Sequence, residues 1–138
     1  MKDAASAVHQ AYYTRLAVSG LWPVYDRPPG NAVPPYNLVE TVMTQDDSTK
    51  TSRGQVVIVQ ISCNQVYTGD AGGKKEVEAQ SKLVLEAIDD RSNRIDCASD
   101  FHILTTRLET AVTIEDQRTE PINIVRRVLR FRHLVEEL

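Results

Sequence analysis

The chain is poor in the residues that mark several common functions. It has two cysteines in 138 residues, Cys63 and Cys97. They stand far apart and neither belongs to a Cys-x-x-Cys pair, which excludes a zinc ribbon. Their simplest reading is small, buried or half-buried thiols in a reducing compartment. No apolar run approaches the ~20 residues that a membrane span needs. The first residues, MKDAASAVHQAYYTRL, lack the apolar stretch of a secretory signal. Those absences predict a chain made and used in a cytoplasm, or assembled there into something larger, with no membrane partner. An excess of positive charge is missing too: 16 Lys and Arg stand against 19 Asp and Glu, a net charge of −3. Dedicated nucleic-acid binders usually have a basic domain, so only a local basic patch remains open.

What is present fits one globular domain over residues 1–138. A chain of this length buries roughly two-thirds of its unfolded surface, enough for a core. Asp3 can cap a first helix from Ala4, with Ala5, Val8, Tyr12 and Leu16 on one face and Gly20 as its stop. Five of the six prolines then fall in LWPVYDRPPGNAVPPY, an extended connector in which Val24 and Tyr25 can pair as an edge strand. A strand over Pro35–Thr44 precedes the polar loop Gln45–Gly54, long for a hairpin. Gln55–Tyr67 is the clearest strand: Val57, Val59, Ile61 and Cys63 face one way, Gln60, Ser62 and Asn64 the other. The turn TGDAGGKK leads to a second helix over about residues 75–90, with Val77, Val84, Ala87 and Ile88 inward. A strand over His102–Glu115 follows, with His102, Leu104, Thr106, Leu108, Val112 and Ile114 on one face.

The chain ends in NIVRRVLRFRHLVEEL, with four arginines in seven residues. Helical and strand periods both fit so short a run. The long alternating strand before it, joined by a polar turn, favours a hairpin and therefore a strand. The fold class expected is α+β: a mostly antiparallel sheet of about four strands with two helices packed on one face. The last strand then carries Val125, Leu129, Phe131 and Val135 on its core side, with Arg127 in that row. Arg126, Arg130 and Arg132 share the other side with Val128. Two readings of that side stay open: cross-strand pairing with acids such as Glu109, or a binding surface. Three arginines together meet water, an acidic partner subunit or phosphates.

Catalytic signatures are weak. GDAGGKK sits where a phosphate loop belongs, but three residues separate Gly69 from Gly73 and Lys74 is followed by Lys75, not Ser or Thr. His9, His102 and His133 lack a second ligand at metal spacing, and no nucleophile elbow accompanies His102 and Asp100. The pairs Asp46–Asp47, Asp89–Asp90 and Glu136–Glu137 read as solvated turns and a tail, since adjacent strand residues point to opposite faces. No catalytic residue, metal or cofactor is expected.

The outline AVHQAYYTRL, VYDRPP…PPY, TKTSRGQ leading into a strand, GGKKEVEAQSKLVLEAI and the terminal VLRFRHLVEE resembles the tail-completion, or tail-terminator, family of long-tailed bacteriophages. The likeness spans nearly the whole chain. It implies a structural virion protein of the tail or neck, forming a homo-oligomeric ring, a hexamer or a dodecamer. Such a ring ends tail-tube polymerisation, joins the tail tube protein to the head-completion or connector protein, and lets phage DNA pass through its lumen. Ring subunits meet through unlike faces, which makes Arg126, Arg130 and Arg132 against Asp46, Asp47, Glu136 and Glu137 the candidate subunit interface. The loop Gln45–Gly54 is a candidate for ordering on assembly. A small nucleic-acid-binding module using the arginine strand is the alternative.

Overall fold

Asp3 opens the first helix: its Oδ1 accepts the Ala5 N–H at 3.0 Å, as an N-cap residue should. The computed structural model describes residues 2–19, 22–27, 30, 34–68, 74–98, 100–116 and 122–138. Its elements are α1 (Ala5–Ser19), β1 (Val24–Tyr25), β2 (Tyr36–Asp46), β3 (Gly54–Thr68), α2 (Lys74–Ile88), β4 (Phe101–Asp116) and β5 (Ile122–Glu137). The helix stop at Gly20, the glycine-rich turn Gly69–Gly73 and the turn between β4 and β5 lie outside the described residues. The sheet order is β1-β2-β3-β5-β4. The terminal arginine segment is a strand, paired with β3 on one side and β4 on the other.

The fold is α+β, but among the described residues the sheet is mixed and has five strands, where a mostly antiparallel sheet of about four was expected. The difference is β1, which runs parallel to β2 through Val24–Asn37 and Tyr25–Leu38. The proline-rich connector explains it. Proline cannot donate to a ladder, so a tight antiparallel hairpin between β1 and β2 is disfavoured. The Pro23 carbonyl accepts the Asn37 N–H at 2.9 Å, and the Tyr25 and Tyr36 rings meet edge to face at 5.6 Å.

Both helices cover the same face. Ala4, just before α1, and Val8, Tyr12 and Leu16 on it join Val77, Val84 and Ile88 of α2 over Val57, Val59, Ile61, Cys63, Val125, Leu129, Phe131 and Val135. Two polar ties fix the layers. Arg15 of α1 donates to the Ala87 carbonyl at 3.0 Å, left open in the last turn of α2, and to the Asn93 carbonyl in the loop beyond it at 2.7 Å. Gln80, fully buried on α2, donates to Asn37 Oδ1 at 2.7 Å and the Tyr36 carbonyl at 3.2 Å, and accepts from Gln65 at 2.8 Å. Buried amides hold position only when so satisfied.

The face expected for β4 is corrected by two irregularities in its register with β5, between Ile103 and Thr105 and between Leu108 and Thr110. Each extra residue reverses the alternation. Ile103 is buried and Ala111 packs against the core, while Leu104 and Val112 are exposed at 39% and 50%. His102 is exposed as well. The loop after β2 is shorter than Gln45–Gly54: the strands run to Asp46 and from Gly54, and Asp47 N–H to Gly54 carbonyl closes them at 2.8 Å. Gly54 is needed there, because a Cβ would lie 2.9 Å from the Asp47 carbonyl oxygen.

Candidate functional site

β5 gives alternate residues to two faces. On the helix side stand Val125, Arg127, Leu129, Phe131, His133 and Val135. On the open side stand Arg126, Val128, Arg130, Arg132 and Leu134. The rungs on β3 bring Asn64, Gln60 and Ile58 beside Arg126, Arg130 and Arg132. On β4 the same arginines face Ile114, Thr110 and Arg107. Arg130 meets Glu109, Nε to Oε2 at 3.3 Å, with both side chains more than a third exposed. The Arg130 Nε–H is not directed along a hydrogen bond to that oxygen, so the contact is an ion pair held by distance alone. Arg132 faces Arg107 across the strands, and like charges so placed repel. Apolar residues complete the surface: Val56 and Ile58 are buried between neighbouring strands, while Met43, Val66 and Val112 are exposed. Arginine stems cover apolar area well.

The acidic candidates gather elsewhere. Asp46 and Asp47 are exposed at the end of β2, and Ser48 donates to Asp46 Oδ1 through its N–H at 3.0 Å and its hydroxyl at 2.5 Å. Glu136 and Glu137 are not a free tail. They end β5, opposite Gly54 and His102 or Phe101, and the Glu137 N–H reaches the Arg53 carbonyl at 2.8 Å. Within one subunit, then, Asp46, Asp47, Glu136 and Glu137 share one end of the sheet, and Arg126, Arg130 and Arg132 lie along its middle and far end.

Titratable groups elsewhere are structural in their surroundings. Burial pushes the Cys63 thiol up to about 12 against the pull of Arg127, and the half-buried Cys97 up to about 11. Thiols so raised are poor nucleophiles. Both are free. His102 pairs with Asp96 at 2.7 Å and not with Asp100. Burial works to raise the Asp96 carboxyl, yet the Ile103 and Cys97 N–H groups and His102 outweigh it and hold it low. Among the described residues no cluster of His, Cys, Asp and Glu is placed to hold a metal ion, and no helix is long and apolar enough to cross a membrane.

Two features escaped the sequence reading. His133 is fully buried, meeting the Tyr12 hydroxyl through Nε2, with Thr106 Oγ1 at 3.2 Å and the Thr105 carbonyl at 3.3 Å from Nδ1. Burial lowers its pKa to about 4 despite the Thr105 carbonyl. The signal was there: residue 133 continues the odd-numbered core row of β5. The other is a cleft of about 450 Å³ between β4 and the loop after α2, lined by Arg91, Arg94, Thr105 and Thr106 among others. It depends on β4 being the last strand of the sheet, which no local pattern reveals.

Comparison with known proteins gives the context. The family described as tail completion protein gp17 matches residues 6–136. The chain belongs to that family. A chain of a solved structure titled "Virion of native gene transfer agent (GTA) particle" is similar throughout. It is 26% identical, with a TM-score of 0.74 over 99% of this chain and 99% of that one. No curated protein matches the chain. As a tail completion protein it is a structural component of a phage-type tail.

Proposed function

We propose that the chain is a ring subunit at the head-proximal end of a phage-type tail. There it ends tube polymerisation and joins the tail tube protein to the head-completion or connector protein. The similarity along the whole chain to a virion chain of a gene transfer agent particle carries this reading. The open face of the sheet supports it. Arginine beside exposed valine and methionine is the composition of a protein contact surface, and the Arg107–Arg132 juxtaposition gains from an acidic group brought by a neighbour. Asp46, Asp47, Glu136 and Glu137 at the end of the sheet supply such groups. A closed ring uses unlike faces of one subunit, and this subunit has them. The ring is a hexamer or dodecamer assembled in the host cytoplasm, the loop before β3 orders further on assembly, and phage DNA passes the lumen transiently.

Solution mass and negative-stain microscopy, alone and with tail tubes, test this. Rings of fixed copy number seated on tube ends are expected. A chain that stays monomeric at high concentration and ignores tube ends would refute it. Tight DNA binding by that monomer, falling steeply with salt, would point instead to the arginine strand as a nucleic-acid module.

A further inference from the structure

The sheet ends on both sides in unpaired backbone. β4 is the last strand, and among the described residues nothing pairs with its outer edge. At its start the Asp96 carboxylate takes the Ile103 N–H at 2.8 Å, which leaves the edge open from Thr106. On the other side, among the described residues, β1 covers only Asn37 and Leu38, which leaves β2 open from Val39 to Asp46. Neither strand contains proline. Rows of free N–H and C=O groups are templates for another strand, and exposed edges this long are usually blunted.

The two open edges match. β2 and β4 run in opposite directions, because each step of the order β2-β3-β5-β4 is antiparallel. Copies related by rotation about an axis along the strands keep their direction, so β4 of one copy meets β2 of the next antiparallel. That pairing needs no crossover and is the stronger ladder. Setting Asp46 beside Thr106 uses the full open stretch of β2. It also brings the β2 irregularity between Thr41 and Met43 against the β4 irregularity between Leu108 and Thr110. An extra residue in both strands at one level leaves the register intact.

Charge agrees with this direction. The acidic end of β2 arrives at the start of β4, where the cleft holds Arg91 and Arg94. Both arginines are exposed, and neither has an ion pair among the described residues. The cleft also holds Asp89, which is exposed, and Asp90, so an incoming carboxylate pair meets two arginines and two acids there. Asp90 takes the Ser92 N–H and hydroxyl at 3.0 and 2.8 Å, as Asp46 takes those of Ser48.

We propose that β4 of one copy and β2 of the next pair antiparallel, seating Asp46 and Asp47 of the next copy over Arg91 and Arg94. This rests on the ring reading above, but moves Asp46 and Asp47 from the arginine face to the cleft and leaves Glu136 and Glu137 as the acids for Arg132. The occupant of the cleft is a second copy of this chain, and the ring is closed by one continuous sheet.

The test begins with the mass of the assembled full chain, followed by amide hydrogen exchange on ring and monomer. Residues 39–46 and 106–113 are expected to exchange at least about tenfold more slowly in the ring. R91E/R94E and D46R/D47R are each expected to lower ring yield about tenfold or more, and the variant carrying all four changes to recover it. All four sites are exposed, so each monomer keeps its melting temperature and circular dichroism. Rings whose two segments exchange as in the monomer overturn the pairing while the ring stands. So do charge variants that assemble normally, or a fourfold variant that does not recover. A dimer protected in β4 alone overturns it in favour of a two-fold β4–β4 contact. A chain that never assembles removes the ring reading and this inference with it, and the mass measurement tells that failure from the others.

Discussion

Helix-covered and open, the two faces of the sheet are built from the same strands, and β5 supplies alternate residues to each. On the covered face Val125, Leu129, Phe131, His133 and Val135 are all buried. On the open face Arg126, Val128 and Arg130 are half-buried and Arg132 is exposed. The covered face is closed within one subunit: its polar members, Gln80 and His133, have partners in the same chain. The open face is unfinished, with Arg132 facing Arg107 and valines left in water. One face therefore sets subunit stability and the other is free to serve assembly. Mutations should separate the two effects cleanly.

The largest expected effect is on the covered side. Phe131→Ala removes a fully buried ring that packs edge to face on Tyr12 at 6.1 Å. It should cost about 3–5 kcal/mol in chemical denaturation. Val128→Ala, its neighbour on the open face, should cost well under about 1 kcal/mol. Equal losses would erase the distinction between the faces.

Acid should act next, through His133. Its pKa is about 4 when folded, against about 6.5 in an unfolded chain. The unfolded state takes the proton first, so stability is full above pH 6.5 and falls as pH drops toward 4. The total loss is on the order of 3 kcal/mol. Denaturation midpoints across that window check it, and H133Q should flatten the dependence. An unchanged slope in H133Q would mean that other groups set it. Gln80→Leu ranks below this: Asn37 and Gln65 lose their buried partner, at about 1–3 kcal/mol, with ring assembly by the folded fraction unchanged.

The covered face was largely legible in the sequence because its signals are local. Val8, Tyr12 and Leu16 recur at the helical period, and Val57, Val59, Ile61 and Cys63 at the strand period, and each set is buried as its spacing demands. The same alternation, counted from Phe131, placed His133 inside. β4 misled the reading. Its two register irregularities are visible only against β5, and each flips the faces that follow, so Val112 appeared inward. The parallel β1, the β4 edge and the Arg91–Arg94 cleft share one cause: they follow from strand order, which is set by long-range pairing and leaves no periodic mark. The arginine face was legible as a face, since every second residue from Arg126 to Arg132 falls on it. Its pairing with Glu109 was legible as one of the two readings left open, because Glu109 belongs to the strand expected beside it.

The smallest effects on stability should come from that face, and there the sign is informative. Arg130→Glu breaks an ion pair whose members are both more than a third exposed, a kind of contact worth about 1 kcal/mol or less. The monomer should melt within a few degrees of the wild type while ring yield falls. If the fold collapses instead, Arg130 is structural and its assignment to a subunit contact is wrong. Arg132→Glu goes further. In the isolated subunit it replaces the Arg107–Arg132 repulsion with an attraction, so the monomer should gain a few tenths of a kcal/mol. In the assembly it removes a cation from the surface proposed to meet a neighbour's carboxylates, so rings should form less readily. A residue kept for its own subunit's stability would not be improved by reversing its charge. A more stable monomer that assembles poorly is therefore the outcome that assigns Arg132 to the contact, and thermal melts beside sedimentation of the same sample read both halves at once.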